Sequence, residues 1–225
     1  MTETFKNDLC FNVVKMTDFD RDYYYGRKKS NYANYETIDA HEKFRRIIHF
    51  IKGMELGGRY LDAGCAFGLL LEKVLPYFEE VFGFDISPFA IGKAEERIKE
   101  ADLRIVDINE YLPYEDKSFD FITALDVLEH TASFEHSLVK LAGKLKWGGY
   151  MILSTPLNSW PRKIFGFLDR DDSHISVPDI KTIRRAVYNS NLKVVNQETF
   201  TSLPRYMRFP IVPAETEMIL RKVGP

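Results

Sequence analysis

The chain of 225 residues is 45% hydrophobic and 28% charged, which supplies enough apolar material for a core and excludes an intrinsically disordered chain. Its formal net charge of -2 gives no overall electrostatic attraction to nucleic acid or to an anionic membrane. The two cysteines, Cys10 and Cys65, indicate neither a disulfide framework nor a paired-cysteine zinc site. Since the sequence shows neither a signal-peptide core nor an apolar run of about 18 residues, we expect a cytoplasmic protein without a membrane span.

The beginning of the chain, residues 1–40, is predicted to be an N-terminal arm or lid. From Asp18 to Tyr35, tyrosines, charged residues and asparagines follow one another without a helical or an alternating period. Such a composition is typical of irregular structure. Residues 41–225 are predicted to form a single domain.

This domain is predicted to open with a helix and to continue with alternating strands and helices. The helix ends near Gly57 and Gly58, and its apolar face consists of Phe44, Ile47, Ile48 and Ile51. Strands are predicted at Arg59–Ala63, Val81–Asp85, Leu103–Val106, Phe119–Leu125 and Tyr150–Ser154, with helices at Leu69–Leu75, from Pro88 onward and at Phe134–Leu145. Strands separated by such helices pair in parallel with right-handed crossovers. The fold class is therefore α/β, with a Rossmann-like doubly wound sheet.

The last third of the chain departs from this alternation. A turn is predicted at Gly148 and Gly149, and the segment from Pro156 to Val177 is interpreted as a long insertion after a strand. A helix with a start similar to a capping box is predicted at Ser176. The strands Lys193–Phe200 and Glu217–Arg221 are expected to form an antiparallel hairpin at the edge of the sheet.

The most informative motif is the turn that follows the first predicted strand. In an open α/β sheet, ligands bind at the carboxyl ends of the strands. Gly64 permits a positive φ and a close approach to a ligand, Ala66 keeps the turn narrow, and Gly68 opens the next helix without a side chain. Asp62 places negative charge at the floor of the pocket, which favours a cofactor with an ammonium or sulfonium group over a pyrophosphate.

The next two predicted strands also have an aspartate, either as their last residue or directly after it. Asp85 closes the second strand, where a carboxylate can accept hydrogen bonds from both hydroxyl groups of a ribose. Asp107 follows the third strand and can accept a hydrogen bond from an exocyclic amine such as that of adenine, with Ile108 as an apolar wall. Three consecutive strands with terminal aspartates therefore predict a nucleoside cofactor.

These motifs resemble those of the class I S-adenosylmethionine-dependent methyltransferases. Asp62-x-Gly-x-Ala-x-Gly stands where that family has Asp or Glu-x-Gly-x-Gly-x-Gly, and Phe84-Asp85-Ile86-Ser87 is similar to its second motif. The segment LDVLEH from Leu125 to His130 resembles the fourth-strand exit of small-molecule enzymes, including quinone-biosynthesis O-methyltransferases. The chain departs from the family pattern with Ala66 for a glycine and Trp147 for a proline.

The resemblance implies a cofactor, S-adenosylmethionine, with S-adenosylhomocysteine as product. It places Asp62 and Gly64 against the methionine part, Asp85 at the ribose, Asp107 and Ile108 at the adenine, and the backbone of Leu125 at the methionine amine. The predicted cofactor-binding set is completed by Ala66, Gly68 and Ile86. The acceptor is expected to be a small molecule, since the Asn or Asp-Pro-Pro-aromatic tetrapeptide of enzymes acting on amino groups of bases is absent.

Two histidines are candidate general bases for the acceptor. His130 follows the fourth strand and His174 lies in the insertion; each could equally be a histidine held by local hydrogen bonds. Three acids in the insertion, Asp169, Asp171 and Asp172, could suggest a metal, but an exposed acidic turn is the commoner explanation. We therefore predict no metal.

Two other functions remain open from the sequence. A regulator or partner subunit that binds S-adenosylmethionine without transferring its methyl group would use the same cofactor residues. An NAD(P)-dependent oxidoreductase is disfavoured, since its Gly-x-Gly-x-x-Gly motif needs glycines where this chain has Ala66 and Leu69. Tyrosines and bases alternate from Tyr23 to Lys29, but the run is short, so a solvated face or a cofactor cover is favoured over nucleic-acid binding.

Overall fold

A computed structural model describes residues 15–27, 30, 34–37, 41–160, 171–203, 207–209 and 214–224. Its helices are α1 (Arg21–Tyr24), α2 (His41–Gly53), α3 (Leu69–Val74), α4 (Pro88–Arg97), α5 (Phe134–Lys144) and α6 (Ile180–Asn189). Its strands are β1 (Arg59–Ala63), β2 (Glu80–Asp85), β3 (Asp102–Ile105), β4 (Phe119–Leu125), β5 (Leu145–Pro156), β6 (Leu192–Leu203), β7 (Met207–Phe209) and β8 (Glu215–Lys222). None of the helices in these ranges is long and apolar enough to cross a membrane.

The described strands form one sheet in the order β3-β2-β1-β4-β5-β8-β6-β7. The first five strands pair in parallel. The last three pair in antiparallel fashion, with β8 lying between β5 and β6 and β7 pairing with the far end of β6. This architecture confirms the predicted Rossmann-like α/β class and its antiparallel C-terminal hairpin.

Side chains alternate between the two faces of the central strands, so the sheet has a core on each side. Leu61 of β1 and Ile122 of β4 lie in one core, where they pack with residues of α5 and α6. Tyr60 and Phe121, their neighbours in sequence, lie in the other core with residues of α2, α3 and α4. Both faces of the sheet are therefore covered, as the alternating pattern predicted.

Several boundaries differ from the sequence prediction. α2 ends at Gly53, four residues before the glycine pair. Gly148 and Gly149 lie inside β5, where Gly148 has a φ of 84° beside a register shift against β4, so they form an irregularity in a strand and not a turn. The N-cap of α6 is Asp179, whose side chain accepts a hydrogen bond from the Thr182 amide.

Local hydrogen bonds explain the later start of α6 and the short helix in the arm. The hydroxyl of Ser176, the predicted cap, instead donates to the carbonyl of Leu128. Within the segment predicted to be irregular, the side chain of Asp20 accepts hydrogen bonds from the amides of Asp22 and Tyr23 and begins the short helix α1. The described part of the arm therefore contains α1 and, in addition, 3-10 turns at Met16–Asp18 and Tyr35–Thr37.

The sheet order creates a switch point beside β1. The chain passes from β1 to β2 on one side, whereas β4 pairs with the other side of β1. In doubly wound sheets the crevice outside the strand ends at such a point is where ligands bind. The ends of β1, β2 and β4 therefore face a common crevice.

A buried hydroxyl network ties β1 to β4 and provides a test of this arrangement. Thr123 is fully buried, donates to a carboxylate oxygen of Asp62 at 2.6 Å and contacts the hydroxyl of Tyr60. Replacing Thr123 by valine removes the partner of the buried Tyr60 hydroxyl and one donor to the buried Asp62 carboxylate, so we expect the free energy of unfolding to fall by about 1–3 kcal/mol. Thr123→Ser keeps the hydroxyl and should lose less free energy of unfolding, with both variants measured by urea titration. Equal losses in the two variants would show that the hydroxyl contributes nothing.

Candidate functional site

A cavity of about 710 Å³, counting its part open to solvent, lies at the carboxyl ends of β1, β2 and β4. Residues from the strand ends and the turns after them form its floor, and the arm forms part of its wall. Eight of the predicted site residues line it, namely Gly64, Ala66, Asp85, Ile86, Asp107, Ile108, Leu125 and His130. The structure therefore brings together most of the residues that the sequence singled out.

Asp85 lies buried at the end of β2 and is held by backbone amides. Its two carboxylate oxygens accept hydrogen bonds from the amides of Ala66 and Ser87, each at 2.9 Å. The hydroxyl of Tyr24 also hydrogen-bonds to this carboxyl group. Burial outweighs these bonds and raises the pKa of Asp85 to about 6. The group is therefore ionised at neutral pH but close to titrating.

The turn after β1 approaches its neighbours too closely for side chains at its glycines. Gly64 has a φ of 72°, and a Cβ added there would overlap the side chain of Val127. The amides of Gly64 and Cys65 both donate to the carbonyl of Phe84. Ala66 has a φ of 46°, in the left-handed region where the related family has glycine.

Two predicted residues of this turn do not line the cavity. Gly68 lies at the N-cap of α3 with a φ of 72°, where an added Cβ would come within 2.9 Å of Ile98. Asp62 is buried beneath the turn, and its carboxylate takes the hydrogen bond from Thr123. The sequence assigns both residues to cofactor binding, whereas in the structure neither of them lines the cavity.

The wall after β3 is fixed by short-range hydrogen bonds. One carboxylate oxygen of Asp107 accepts from both the backbone amide and the side-chain amide of Asn109, each at 2.8 Å. The ammonium group of Lys140 donates to the carbonyls of Ile108 and Asn109. Asp107 is therefore held on the cavity wall by its neighbour Asn109, and the backbone of Ile108 and Asn109 is held by Lys140.

The arm covers the cavity with aromatic side chains. Phe19, Tyr23, Tyr24 and Tyr35 all line it. The ring of Tyr24 packs against Phe67 with 4.8 Å between centroids, and the hydroxyl of Ser87 donates to the carbonyl of Phe19. All four residues lie in the tyrosine-rich segment from Asp18 to Tyr35 that the sequence predicts to be part of an arm or lid.

The two candidate histidines meet at the end of the cavity near β4. Their ring centroids are 4.7 Å apart, and His130 lines the cavity whereas His174 lies behind it. Nδ1 of His130 contacts the carbonyl oxygen of Ser173 at 3.1 Å. Burial and the neighbouring His174 lower the pKa of His130 to about 4. The imidazole of His130 is therefore neutral at neutral pH.

Glu129, which the sequence analysis did not single out, lies between these histidines and the sheet. It is 0% exposed; one carboxylate oxygen accepts from Thr155 at 3.1 Å, and the other has no hydrogen-bond partner among the described residues. Burial and Asp126 raise the pKa of Glu129 to about 8, against the opposing effect of His174. A buried carboxyl group with this pKa is typical of functional sites.

Glu129, His130 and His174 could together hold a cation. Each offers one ligand atom, and these atoms lie within 4.8 Å of one another. Carboxylate and imidazole are ligands that divalent cations accept.

The expectation of an exposed acidic turn is wrong for Asp171, which is 8% exposed, whereas Asp172 is exposed and Asp169 lies outside the described residues. The absence of a metal stays a prediction.

The charges around the cavity have one sign. Its described lining includes the carboxylates of Asp85, Asp107 and Asp126 and contains neither lysine nor arginine. A pyrophosphate would therefore meet repulsion in this cavity, whereas a cationic group would be attracted.

Comparison with known proteins extends this geometry. A family model described as a methyltransferase domain matches residues 36–197. Ubiquinone biosynthesis O-methyltransferases of Alkalilimnicola ehrlichii and of a Bradyrhizobium species are each 35% identical, over 123 and 125 residues. These alignments cover 52% and 54% of this chain and 48% of each relative. The chain thus spans about half the length of the curated relatives it matches.

Solved structures share the fold at lower identity. An N-methyltransferase, NodS, from Bradyrhizobium japonicum in complex with S-adenosyl-l-homocysteine has a TM-score of 0.67 and 18% identity, covering 91% of this chain and 100% of its own. An S-adenosylmethionine-dependent methyltransferase from Clostridium acetobutylicum has a TM-score of 0.67 and 15% identity, with 84% and 94% coverage. At these identities the similarity concerns the fold.

The pKa of Glu129 predicts how stability changes with pH when this residue is replaced. The folded chain holds the Glu129 proton more tightly, with a pKa of about 8 against 4.5 ordinarily. The stability this gives is complete below about pH 4.5 and is lost as the pH rises through about 8. Glu129→Gln cannot ionise, so its free energy of unfolding should rise relative to the parent between about pH 5 and about pH 8.

Urea unfolding in the presence of EDTA measures this difference. Glu95→Gln, on the exposed face of α4, is the matched control and should follow the parent at both pH values. A Glu129→Gln difference that is the same at both pH values would contradict the raised pKa.

Proposed function

Because the chain belongs to the family of methyltransferase domains, we propose that it transfers a methyl group from S-adenosylmethionine to a small-molecule acceptor. The observation that carries the proposal is a cavity at the sheet's switch point, lined by carboxylates and, among its described residues, by neither lysine nor arginine. This polarity suits a sulfonium cofactor and opposes a dinucleotide with its pyrophosphate. The names of the curated relatives support an acceptor oxygen.

The cofactor would lie along the strand ends. Asp85 would accept hydrogen bonds from the ribose hydroxyls. These hydroxyls would replace the hydroxyl of Tyr24, which hydrogen-bonds to Asp85 in the structure. Asp107 and Ile108 would flank the adenine, and the methionine part would lie against Gly64 and the backbone of Leu125. Asp62 would act on that end through the field of its buried carboxylate, since its side chain does not line the cavity.

The remaining end of the cavity would receive the acceptor. Methyl transfer is an in-line displacement in which the acceptor oxygen bonds to the methyl carbon, the carbon–sulfur bond breaks and S-adenosylhomocysteine leaves. The protein's main contribution is alignment in a dry cavity. A hydroxyl acceptor also loses a proton, and we assign its removal to His130 or His174. His130 lines the cavity, and its ring is neutral at neutral pH, so that one of its nitrogens keeps a lone pair.

Replacing Asp85 tests the cofactor site. Asp85→Ala removes charge-assisted hydrogen bonds worth about 1.5–3 kcal/mol each, so S-adenosylhomocysteine should bind at least about tenfold more weakly in isothermal titration. In the parent, affinity should also fall as the pH drops below about 6, where Asp85 gains a proton. Asp116→Ala, at an exposed carboxylate paired with Lys144, should bind as the parent does. Parent-like affinity of Asp85→Ala would remove the ribose assignment.

The histidines are tested by turnover. His130→Gln and His174→Gln should each lower kcat by about 10²-fold, the usual contribution of a general base, with little change in cofactor affinity. His136→Gln, on an exposed part of α5, is the control. Assays with a panel of phenols, acids and amines, in EDTA and with added divalent cations, would also show whether the trio with Glu129 needs a cation. Unchanged kcat in both variants would exclude the two histidines from the reaction.

A non-catalytic binding protein is the second candidate. It would bind both forms of the cofactor and transfer no methyl group to any member of the panel. Titration with NADH tests the oxidoreductase alternative, and we expect no binding.

A further inference from the structure

A hydrogen-bond network outside the cofactor residues joins the arm to His130. Its members are Tyr23 of α1, Asp171 and Ser173 of the segment after β5, and His130 after β4. Tyr23 and Asp171 are 148 positions apart in the chain. The network therefore connects three separate segments at the acceptor end of the cavity.

Every bond to Asp171 within this network points toward its carboxylate. One oxygen accepts from the hydroxyl of Tyr23 at 2.7 Å. The other accepts from the amide of Ser173 at 3.0 Å and from the hydroxyl of the same serine. A carboxylate can only accept hydrogen bonds. Burial and Asp171 raise the pKa of Tyr23 far above its usual range, so its hydroxyl remains a donor.

The direction of these bonds determines where His130 carries its proton. Because the hydroxyl of Ser173 gives its only proton to Asp171, its oxygen can only accept from Nδ1 of His130, which lies 2.9 Å away. The carbonyl oxygen of Ser173, 3.1 Å from the same nitrogen, can also only accept. Nδ1 must therefore be protonated, and in the neutral ring Nε2 keeps its lone pair.

We propose that Asp171 is a positioning residue that fixes His130 as the Nδ1-protonated tautomer with Nε2 available at the acceptor end of the cavity. The arm also docks on the Asp171 carboxylate, through the hydroxyl of Tyr23. Phe19 packs edge-on against the His130 ring, with 5.4 Å between the ring centroids. The covering of the cavity and the orientation of the histidine thus depend on one buried carboxylate. The use made of Nε2 rests on the proposed function, whereas the tautomer does not.

Nuclear magnetic resonance measures the tautomer directly. Long-range proton–nitrogen spectra distinguish a protonated from an unprotonated ring nitrogen, and the His130→Gln variant assigns the His130 signals. In the full chain, in EDTA, we expect protonated Nδ1 and unprotonated Nε2. A parent chain with protonated Nε2 would overturn the proposal before any variant of Asp171 is made.

Asp171→Asn tests the role of the carboxylate. An amide both donates and accepts, so the direction of the network is no longer fixed, and the His130 signals should move toward a mixture of tautomers. Asp172→Asn, at the exposed neighbouring position, is the matched control and should leave them unchanged. Tyr23→Phe removes one donor but keeps the carboxylate, so it should retain the parent tautomer.

Turnover then separates this proposal from the proposed function. Asp171→Asn should lower kcat by at least about tenfold while the affinity for S-adenosylhomocysteine stays that of the parent. Parent-like His130 signals in a folded Asp171→Asn chain, or the same change in Tyr23→Phe, would overturn the role of Asp171. A tautomer change in a chain that transfers no methyl group would count against the proposed function alone.

Discussion

The burial of the Asp85 carboxylate is the constraint on which the site depends. An ionised carboxylate loses its hydration when it is buried and must be compensated by hydrogen bonds. Here the compensation comes from the amide of Ala66 in the glycine turn, the amide of Ser87 at the start of α4 and the hydroxyl of Tyr24 in the arm. Three segments are therefore positioned by one side chain, and a shift in any of them leaves a buried charge less well compensated.

The carboxylates around the cavity favour a positive charge inside it. Burial raises the pKa of Tyr35, and the charges of Asp62, Asp85 and Asp126 raise it further, so their fields overlap at the cavity wall. Burial also raises the pKa of Asp85 itself to about 6. A bound sulfonium would oppose both shifts, because a nearby positive charge favours ionised carboxylates. Binding and the ionisation of these acids are thus expected to reinforce each other.

Much of the fold and of the cavity at the strand ends could be predicted from sequence because their determinants are local. Each strand of the first half is a short apolar run, and Asp62, Asp85 and Asp107 lie at or just after the strand ends, as the pattern indicated. That the Asp62 side chain points to Thr123 and does not line the cavity could not be predicted. Its partner is Thr123, which lies opposite it in the register of β1 against β4, and that register is a property of the assembled sheet.

Near His130 and His174, the roles of Asp171 and Glu129 could not be predicted, for the same physical reason applied over longer distances. The sequence predicts an exposed acidic turn at Asp171 because nothing near it in sequence shows that Tyr23 covers it. Likewise Glu129 is buried by contacts that the segment after β5 makes, since the amides of Ile175 and Ser176 both donate to its carbonyl. The residues predicted to bind the cofactor belong to successive strand–helix units, whereas those proposed to face the acceptor come from the arm, the turn after β4 and the segment after β5. Loops of this kind can change without altering the sheet, so a shared fold preserves the strand ends, and specificity can diverge in the loops.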